Sequence, residues 1–187
     1  MKIKDGNFFL VFEGLSGSGK TTIAELVAKS LGAEFYKTPA APFDSIRDAI
    51  DVKVCLQARF LFYLAAVAQA SSEISEILKQ KSVVCDRYFL TTLCYHQAIG
   101  VGMDGISEPF TEILIQPDYT FLVVCDDEIR LQRLRDRGMS YNDIQERKSG
   151  VESLFLSKYR EHSVIEIDNS CDGPEITAGK VVDLLKG

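Results

Sequence analysis

The stretch Gly14-Leu15-Ser16-Gly17-Ser18-Gly19-Lys20-Thr21 follows the apolar run FFLVF after a single residue, Glu13, and it constrains this chain more than any other feature. It fits G-x-x-x-x-G-K-[ST] at every fixed position. Glycines let the backbone curl until successive N–H groups face a common centre, where an anion can sit. Lys20 is then placed to bridge the β- and γ-phosphates of a nucleoside triphosphate, and the Thr21 hydroxyl to ligate Mg²⁺. The helix that begins here adds its positive N-terminal end. A flexible glycine-serine turn with a solvated lysine is the plain alternative. A buried strand before the loop and an amphipathic helix after it, stopped by Gly32, speak against that alternative. Gly14, Ser16, Gly17, Ser18, Gly19, Lys20, Thr21 and Thr22 are therefore the expected contacts to ATP.

The rest of the chain alternates short apolar runs with helical segments. NFFLVFEG, AEFYKT, SVVCDRY, DYTFLVVCDD and VIEID read as strands. Between them lie helical patterns, the longest being LQARFLFYLAAVAQASSEISEILKQ, with a break before it near Val52. VGMDGIS reads as a glycine-rich loop, and EIRLQRLRDRG as a basic helix capped by Asp126-Asp127. These five β-α steps, without repeats or a linker, predict an α/β fold. It is one doubly wound domain over residues 1–187, a five-stranded parallel sheet flanked by helices, of P-loop kinase type.

Composition narrows the function. A net charge of −6 with a pI near 5.0 provides no basic face for a nucleic-acid backbone. FLFYLAAVAQA is too short to cross a bilayer, and the loop and Lys20 interrupt any signal-peptide core. Five cysteines without C-x-x-C spacing read as free thiols in a reducing compartment, most simply the cytoplasm. His96 and His162 show no metal-ligand spacing, so a structural role is expected of each.

In a doubly wound sheet, ligands bind at the carboxyl ends of the strands. Asp86 ends the run SVVC there and is the second candidate for the metal, with Thr21; capping of the next helix is the alternative. Arg87 follows, placed to clamp a phosphate. Arg130, Arg133, Arg135, Arg137, Arg147 and Lys148 form a basic run, which is usually a solvated face. Arg133 and Arg137 are four apart and share one side of a helix. The polar segment around residues 137–150 is expected to fold over the triphosphate as a lid, bringing one of these arginines to the transferred phosphoryl group.

At this point the sequence resembles the thymidylate kinase family. FLVFEGLSGSGKTT resembles its opening strand and loop, and DRYFLTTLCYHQ its D-R-Y-x-x-S-x-x-A-Y-Q signature. QPDYTFLVV matches its P-D-L-T strand, LQRLRDRG the helix before its lid, and VIEID the last strand. The resemblance spans nearly the whole chain in order. It implies Mg²⁺-dependent transfer of the ATP γ-phosphoryl group to a nucleoside monophosphate. By that resemblance Asp86 is the Mg²⁺-linked carboxylate, Arg87 contacts the acceptor, and Tyr95 lies against its sugar or base. Glu13, Arg47, Arg59 and Thr91 complete the expected substrate contacts. The loop carries Leu15-Ser16-Gly17-Ser18 and no arginine, which resembles the members that supply catalytic cations from the lid. Family members commonly dimerise through their long helices; the apolar face of FLFYLAAVAQA fits that use and equally fits packing on the sheet.

Four departures from the family pattern cluster on the acceptor side. Ser16 stands where an acidic residue is usual, and Thr38-Pro39-Ala40-Ala41-Pro42 where R-E-P-G is usual. Ala66 and Val67 replace an Asp-Arg pair, and Tyr95 is followed by His96 before Gln97. Lost arginine contacts to a phosphate are worth about 1.5–3 kcal/mol each. Two rival readings follow: a deoxynucleoside kinase with Glu13 or Asp86 as its base, and a nucleotide-binding protein that transfers nothing. A GTPase is disfavoured because no N-K-x-D segment follows a strand.

Overall fold

Alternation of side chains along the first strand, β1 (Phe9–Glu13), assigns the two faces of the sheet. Phe9 and Val11 join one buried cluster, and Leu10 and Phe12 join another on the opposite side. A strand apolar on both faces must lie inside a layered structure, as central parallel strands do. In the computed structural model, which describes residues 6–102, 107–148 and 150–186, β1 is the middle strand of five.

The other strands are β2 (Glu34–Lys37), β3 (Val83–Asp86), β4 (Tyr119–Val124) and β5 (Ile165–Asp168). All pairings are parallel and the order is β2-β3-β1-β4-β5. The chain therefore passes from β1 to the edge strand β2, returns inward to β3, and then crosses β1 to β4 and β5 on the other side. The crevice at this reversal opens beyond the carboxyl ends of β1, β3 and β4. The two edge strands, β2 and β5, are the partly exposed ones.

Helices cover both faces. α1 (Lys20–Leu31) and α9 (Pro174–Lys186) pack together on the Leu10 and Phe12 side, through Ile23, Val27, Val181 and Leu185. α1 ends at Gly32, whose φ of 66° lets its N–H turn back to the Ala28 and Lys29 carbonyls. On the other side lie α3 (Leu56–Leu78) and α4 (Phe89–Ala98). Phe60, Leu64, Val67, Ala70 and Ile74 of α3 face the sheet, leaving Leu56 and Leu61 exposed. A short α2 (Arg47–Lys53) precedes α3, and the helical pattern breaks at Val54 and Cys55, both extended.

α5 (Ser107–Glu112) follows the predicted glycine-rich loop, most of which lies outside the described residues. α6 (Asp127–Arg137) starts at Asp126, whose side chain accepts the Glu128 N–H at 2.9 Å. The polar segment after α6 contains a helix the sequence pattern did not reveal, α7 (Tyr141–Glu146). Ser140 and Asp143 close it with a capping box. α8 (Val151–Arg160) then packs on α4 through Phe155 and Tyr159. Among the described residues, no helix is long and apolar enough to cross a membrane.

Candidate active site

The glycine loop leaves β1 at the crevice and enters α1 at Lys20. Side chains are excluded from it at three points: a Cβ on Gly14 would collide with the Val123 carbonyl, one on Gly17 with the Arg130 carbonyl, and one on Gly19 with the Asn169 amide. Gly19 also has a φ of 94°, which disfavours other residues. Lys20 is buried and donates to the Leu15 carbonyl at 3.2 Å. Burial, followed by the nearby Arg87 charge, pushes its ammonium down to about 7. A lysine held this way gains from an anion beside it, because the anion restores its full charge.

Thr21 and Asp86 meet across the mouth of the loop. The Thr21 hydroxyl donates to Asp86 Oδ2 at 2.5 Å, while Asp86 Oδ1 is buried without a hydrogen-bond partner. An ionised carboxylate oxygen left bare in a buried place suits a cation. The residues present therefore fit Mg²⁺, with Asp86 and Thr21 as the protein's contribution. Arg87 adopts a φ of 68°, unusual for a residue with a side chain. Its N–H donates to the Phe12 carbonyl at 2.9 Å, and its own carbonyl accepts the Thr38 hydroxyl at 3.0 Å. That turn sends the guanidinium back over the loop, where it donates to Ser16 Oγ at 3.3 Å and Thr91 Oγ1 at 3.2 Å.

One cavity of about 440 Å³ runs from Lys20, Thr21 and Asp86 to a far wall of Arg59, Tyr63, Val67, Tyr95 and His96. It brings together the predicted residues Ser16, Arg47, Arg59, Arg87, Thr91, Tyr95 and Arg137. Arg59 is buried, donates to the Tyr95 hydroxyl at 3.0 Å, and has an unpartnered Nε. Among the described residues, Lys20, Arg59 and Arg87 form no ion pair, whereas Arg47 lies 3.9 Å from Asp51 and Arg137 2.9 Å from Asp143. Unpaired cations in a partly dehydrated cavity are a site for anions.

Three expected residues lie elsewhere. Glu13, assigned to the substrate, does not line the cavity; it is fully buried behind it, at the start of α4. Its carboxylate accepts the Tyr88 and Thr91 N–H groups at 3.0 and 3.2 Å and the Thr91 hydroxyl. The carboxylate fills the role of a helix cap for α4, and these donors occupy the oxygens a base would use. Arg133 is not brought over the cavity by the lid. It donates to the Ser18 and Asn169 carbonyls at 3.3 and 3.1 Å, supporting the loop from behind. Thr22 is exposed on the outside of α1.

The segment after α6 closes over the cavity and is attached on both sides. Glu146 of α7 is buried and accepts both the Ser16 N–H and the Ser16 hydroxyl at 3.1 Å. Asn142 donates to Asp51 of α2 at 2.6 Å, and Asp51 also accepts the Tyr63 hydroxyl at 2.8 Å. The segment thus bridges the phosphate loop and the helices of the far wall.

Comparison with known proteins agrees with this geometry. The sequence matches the thymidylate kinase family model over residues 12–171. The chain belongs to the thymidylate kinase family. A probable thymidylate kinase of Methanocaldococcus jannaschii is 31% identical over 96% of both chains. A thymidylate kinase of Pelobacter propionicus is 32% identical, over 86% of this chain and 80% of that one. The Candida albicans thymidylate kinase structure superposes with a TM-score of 0.74 at 18% identity, covering 96% of this chain and 91% of that chain.

Within a thymidylate kinase fold, the four departures fall on one surface. Ser16, Thr38, Ala66, Val67, Tyr95 and His96 all line the same cavity. Sequence reasoning missed four residues that shape it. Arg130, read as part of a solvated basic run, is fully buried; it donates to the Ser16 carbonyl at 3.0 Å and pairs with Glu152 at 2.7 Å. Asn169 donates to the Ser18 carbonyl at 2.8 Å from the end of β5. Glu146 and His96 are the others. Arg130 lies one turn before the buried Leu134, an i,i+4 pair that marks the inner face of α6. No local pattern distinguishes Asn169 or Glu146.

Proposed function

We propose that this protein uses ATP and Mg²⁺ to phosphorylate thymidylate, giving dTDP and ADP. The observation that carries the reading is the single cavity joining the Lys20, Thr21 and Asp86 cluster to the unpaired Arg87 and Arg59. A donor triphosphate on the glycine loop places its γ-phosphoryl at the loop mouth, and an acceptor in the same cavity approaches it in line. A phosphate oxygen of the acceptor forms the new P–O bond as the bond to the β–γ bridging oxygen breaks. Lys20 and Arg87 stabilise the charge on the phosphoryl oxygens in transit. When bound, Mg²⁺ neutralises the donor phosphates and aligns them. The lid excludes water that would otherwise hydrolyse ATP.

The cavity's carboxylates favour a phosphorylated acceptor over a nucleoside. A sugar hydroxyl needs a base, whereas the thymidylate phosphate is already ionised. Asp51 is engaged by Tyr63 and Asn142, Asp143 by Arg137 and Ser140, and Glu146 by Ser16. Asp86 is bonded to Thr21, and Glu13 lies behind the cavity. ADP release measured with Mg²⁺ against nucleoside monophosphates and nucleosides, with Lys20→Ala as the blank, tests the reading. Thymidylate is expected to be the preferred acceptor. Turnover of thymidine with thymidylate inert, or ATP binding without any turnover, would overturn it.

A further inference from the structure

The guanidinium of Arg87 hangs between two hydroxyl groups, and each hydroxyl is backed by a buried carboxylate. Its Nη1 donates to Thr91 Oγ1 at 3.2 Å and its Nη2 to Ser16 Oγ at 3.3 Å. Behind Ser16 stands Glu146, which accepts the Ser16 hydroxyl at 3.1 Å. Behind Thr91 stands Glu13, whose Oε2 is hydrogen-bonded to the Thr91 hydroxyl and whose Oε1 accepts the Thr91 N–H at 3.2 Å. Both carboxylates are buried. Burial works against the Arg87 charge, yet Glu146, Tyr159, Asp86 and Glu13 together hold its guanidinium above the ordinary value.

Tyr159 of α8 completes the Thr91 side. Its hydroxyl lies 2.8 Å from Thr91 Oγ1 and 3.3 Å from Glu13 Oε2, and its ring stacks on Phe155 at 4.8 Å. Burial, followed by the Glu13 charge, pushes the phenol well above its ordinary value, so it keeps its proton. A guanidinium only donates and an ionised carboxylate only accepts. With Glu13 ionised, Thr91 donates to Glu13 and accepts from Tyr159 and Arg87, which uses its one hydrogen and both its lone pairs. Thr91 and Arg87 line the cavity, whereas Glu13 and Tyr159 stand behind it. Their contacts lead to the cavity through Thr91.

We propose that Glu13 and Tyr159 are positioning residues for Arg87, acting through the Thr91 hydroxyl, and that Glu146 acts in the same way through Ser16. This rests on the thymidylate kinase reading for the phosphoryl group that Arg87 meets, and adds what aims the guanidinium at it. A carboxylate in direct contact would offset the guanidinium charge and take the paired N–H groups that a phosphate uses. A hydroxyl in between takes one N–H from each terminal nitrogen, fixes the plane of the group, and leaves its charge for the phosphoryl oxygens. Misplacing such a group by about 1 Å costs on the order of a hundredfold in rate.

The test is a double-mutant cycle on kcat/KM for thymidylate that crosses Thr91→Val with Arg87→Met. Thr91→Val is expected to cost about ten- to a hundredfold when Arg87 is present, and less than about threefold in Arg87→Met. Thr91→Ser keeps the hydroxyl and should recover most of the loss. Equal losses in both backgrounds would overturn the proposal, because Thr91 would then act on the substrate or on the fold and not through Arg87. If Thr91→Val does not fold, Tyr159→Phe takes its place, with a loss of about fivefold expected only where Arg87 is present. Guanidinium NMR of the ligand-free protein separates the two claims. The Arg87 N–H signals should be protected from exchange with water in wild type and Thr91→Ser, and lose that protection in Thr91→Val. Signals unchanged by Thr91→Val sink the positioning role whatever the activity. Signals that respond in this way, in a protein that turns over no thymidylate, uphold the positioning and sink the activity reading alone.

Discussion

At the loop end of the cavity, the residues proposed to meet the donor come from one loop and the strand beside it in the sheet, although 65 residues separate Thr21 from Asp86. Lys20 and Thr21 are adjacent, and Asp86 is one strand away in a register that pairs it with Phe12. At the far end, Arg59, Tyr95, His96 and Val67 come from two helices, and the segment that covers them comes from a third. The loop end follows a motif whose geometry is fixed by a turn. The far end depends on how α3, α4 and α7 pack. The proposed donor end is therefore framed by one loop motif and the strand beside it and the proposed acceptor end by helix packing, and the departures from the family pattern, Ser16 of the loop among them, line the cavity they share.

The largest expected effect sharpens this contrast at the loop end. Lys20→Met should lower kcat by about 10²- to 10³-fold, measured as ADP release at saturating thymidylate, because it removes a cation from the developing charge. Thymidylate affinity, measured by calorimetry in the absence of ATP, should change by less than about threefold. A large loss of acceptor affinity would break the separation between the two ends.

Glu146 tests the link between the ends. Glu146→Ala leaves the Ser16 N–H without its acceptor and frees α7 from the loop, so kcat should fall by about tenfold. Since α7 also touches α2 through Asn142 and Asp51, the KM values for ATP and thymidylate should rise together. Glu146→Gln keeps an acceptor for the same N–H, and a smaller loss is expected of it. An equal loss in both variants would assign the effect to the charge instead, which Lys20 and Arg87 both feel.

A smaller effect appears in stability. The neutral His96 is held well below its ordinary 6.5, at about 4. Between those two values the unfolded chain binds a proton that the folded chain refuses, so stability is present above about pH 6.5 and is lost as the pH falls towards 4. The contribution is about 3 kcal/mol at the acid end of that window. Urea unfolding at a series of pH values should show a shallower acid decline in His96→Gln than in wild type. Parallel declines would mean that other groups cause the loss.

How much of this was legible in the sequence follows the same division. The five strands, the phosphate loop, the Asp86-Arg87 corner and the lid's position depend on periodicity and short spacings, and these are written locally. Arg59 and Tyr95 could be named but not joined, because 36 residues and a helix-helix contact separate them. Glu13 carries the marks of a catalytic carboxylate at a strand end, yet the N–H groups of α4 claim it. Arg130 looked like its neighbours because charge alone does not reveal which side of a helix faces inward. Glu146 meets Ser16 across 130 residues, and nothing in the intervening spacing announces that contact.

The most direct test of an acceptor site moved onto new residues is a pair of KM values for Arg59→Met. Methionine keeps most of the side-chain length and removes the guanidinium. A rise of about tenfold or more in the thymidylate KM, with the ATP KM unchanged, is the expected result. An unchanged thymidylate KM, or an equal rise in both, would contradict the assignment of acceptor binding to the far wall.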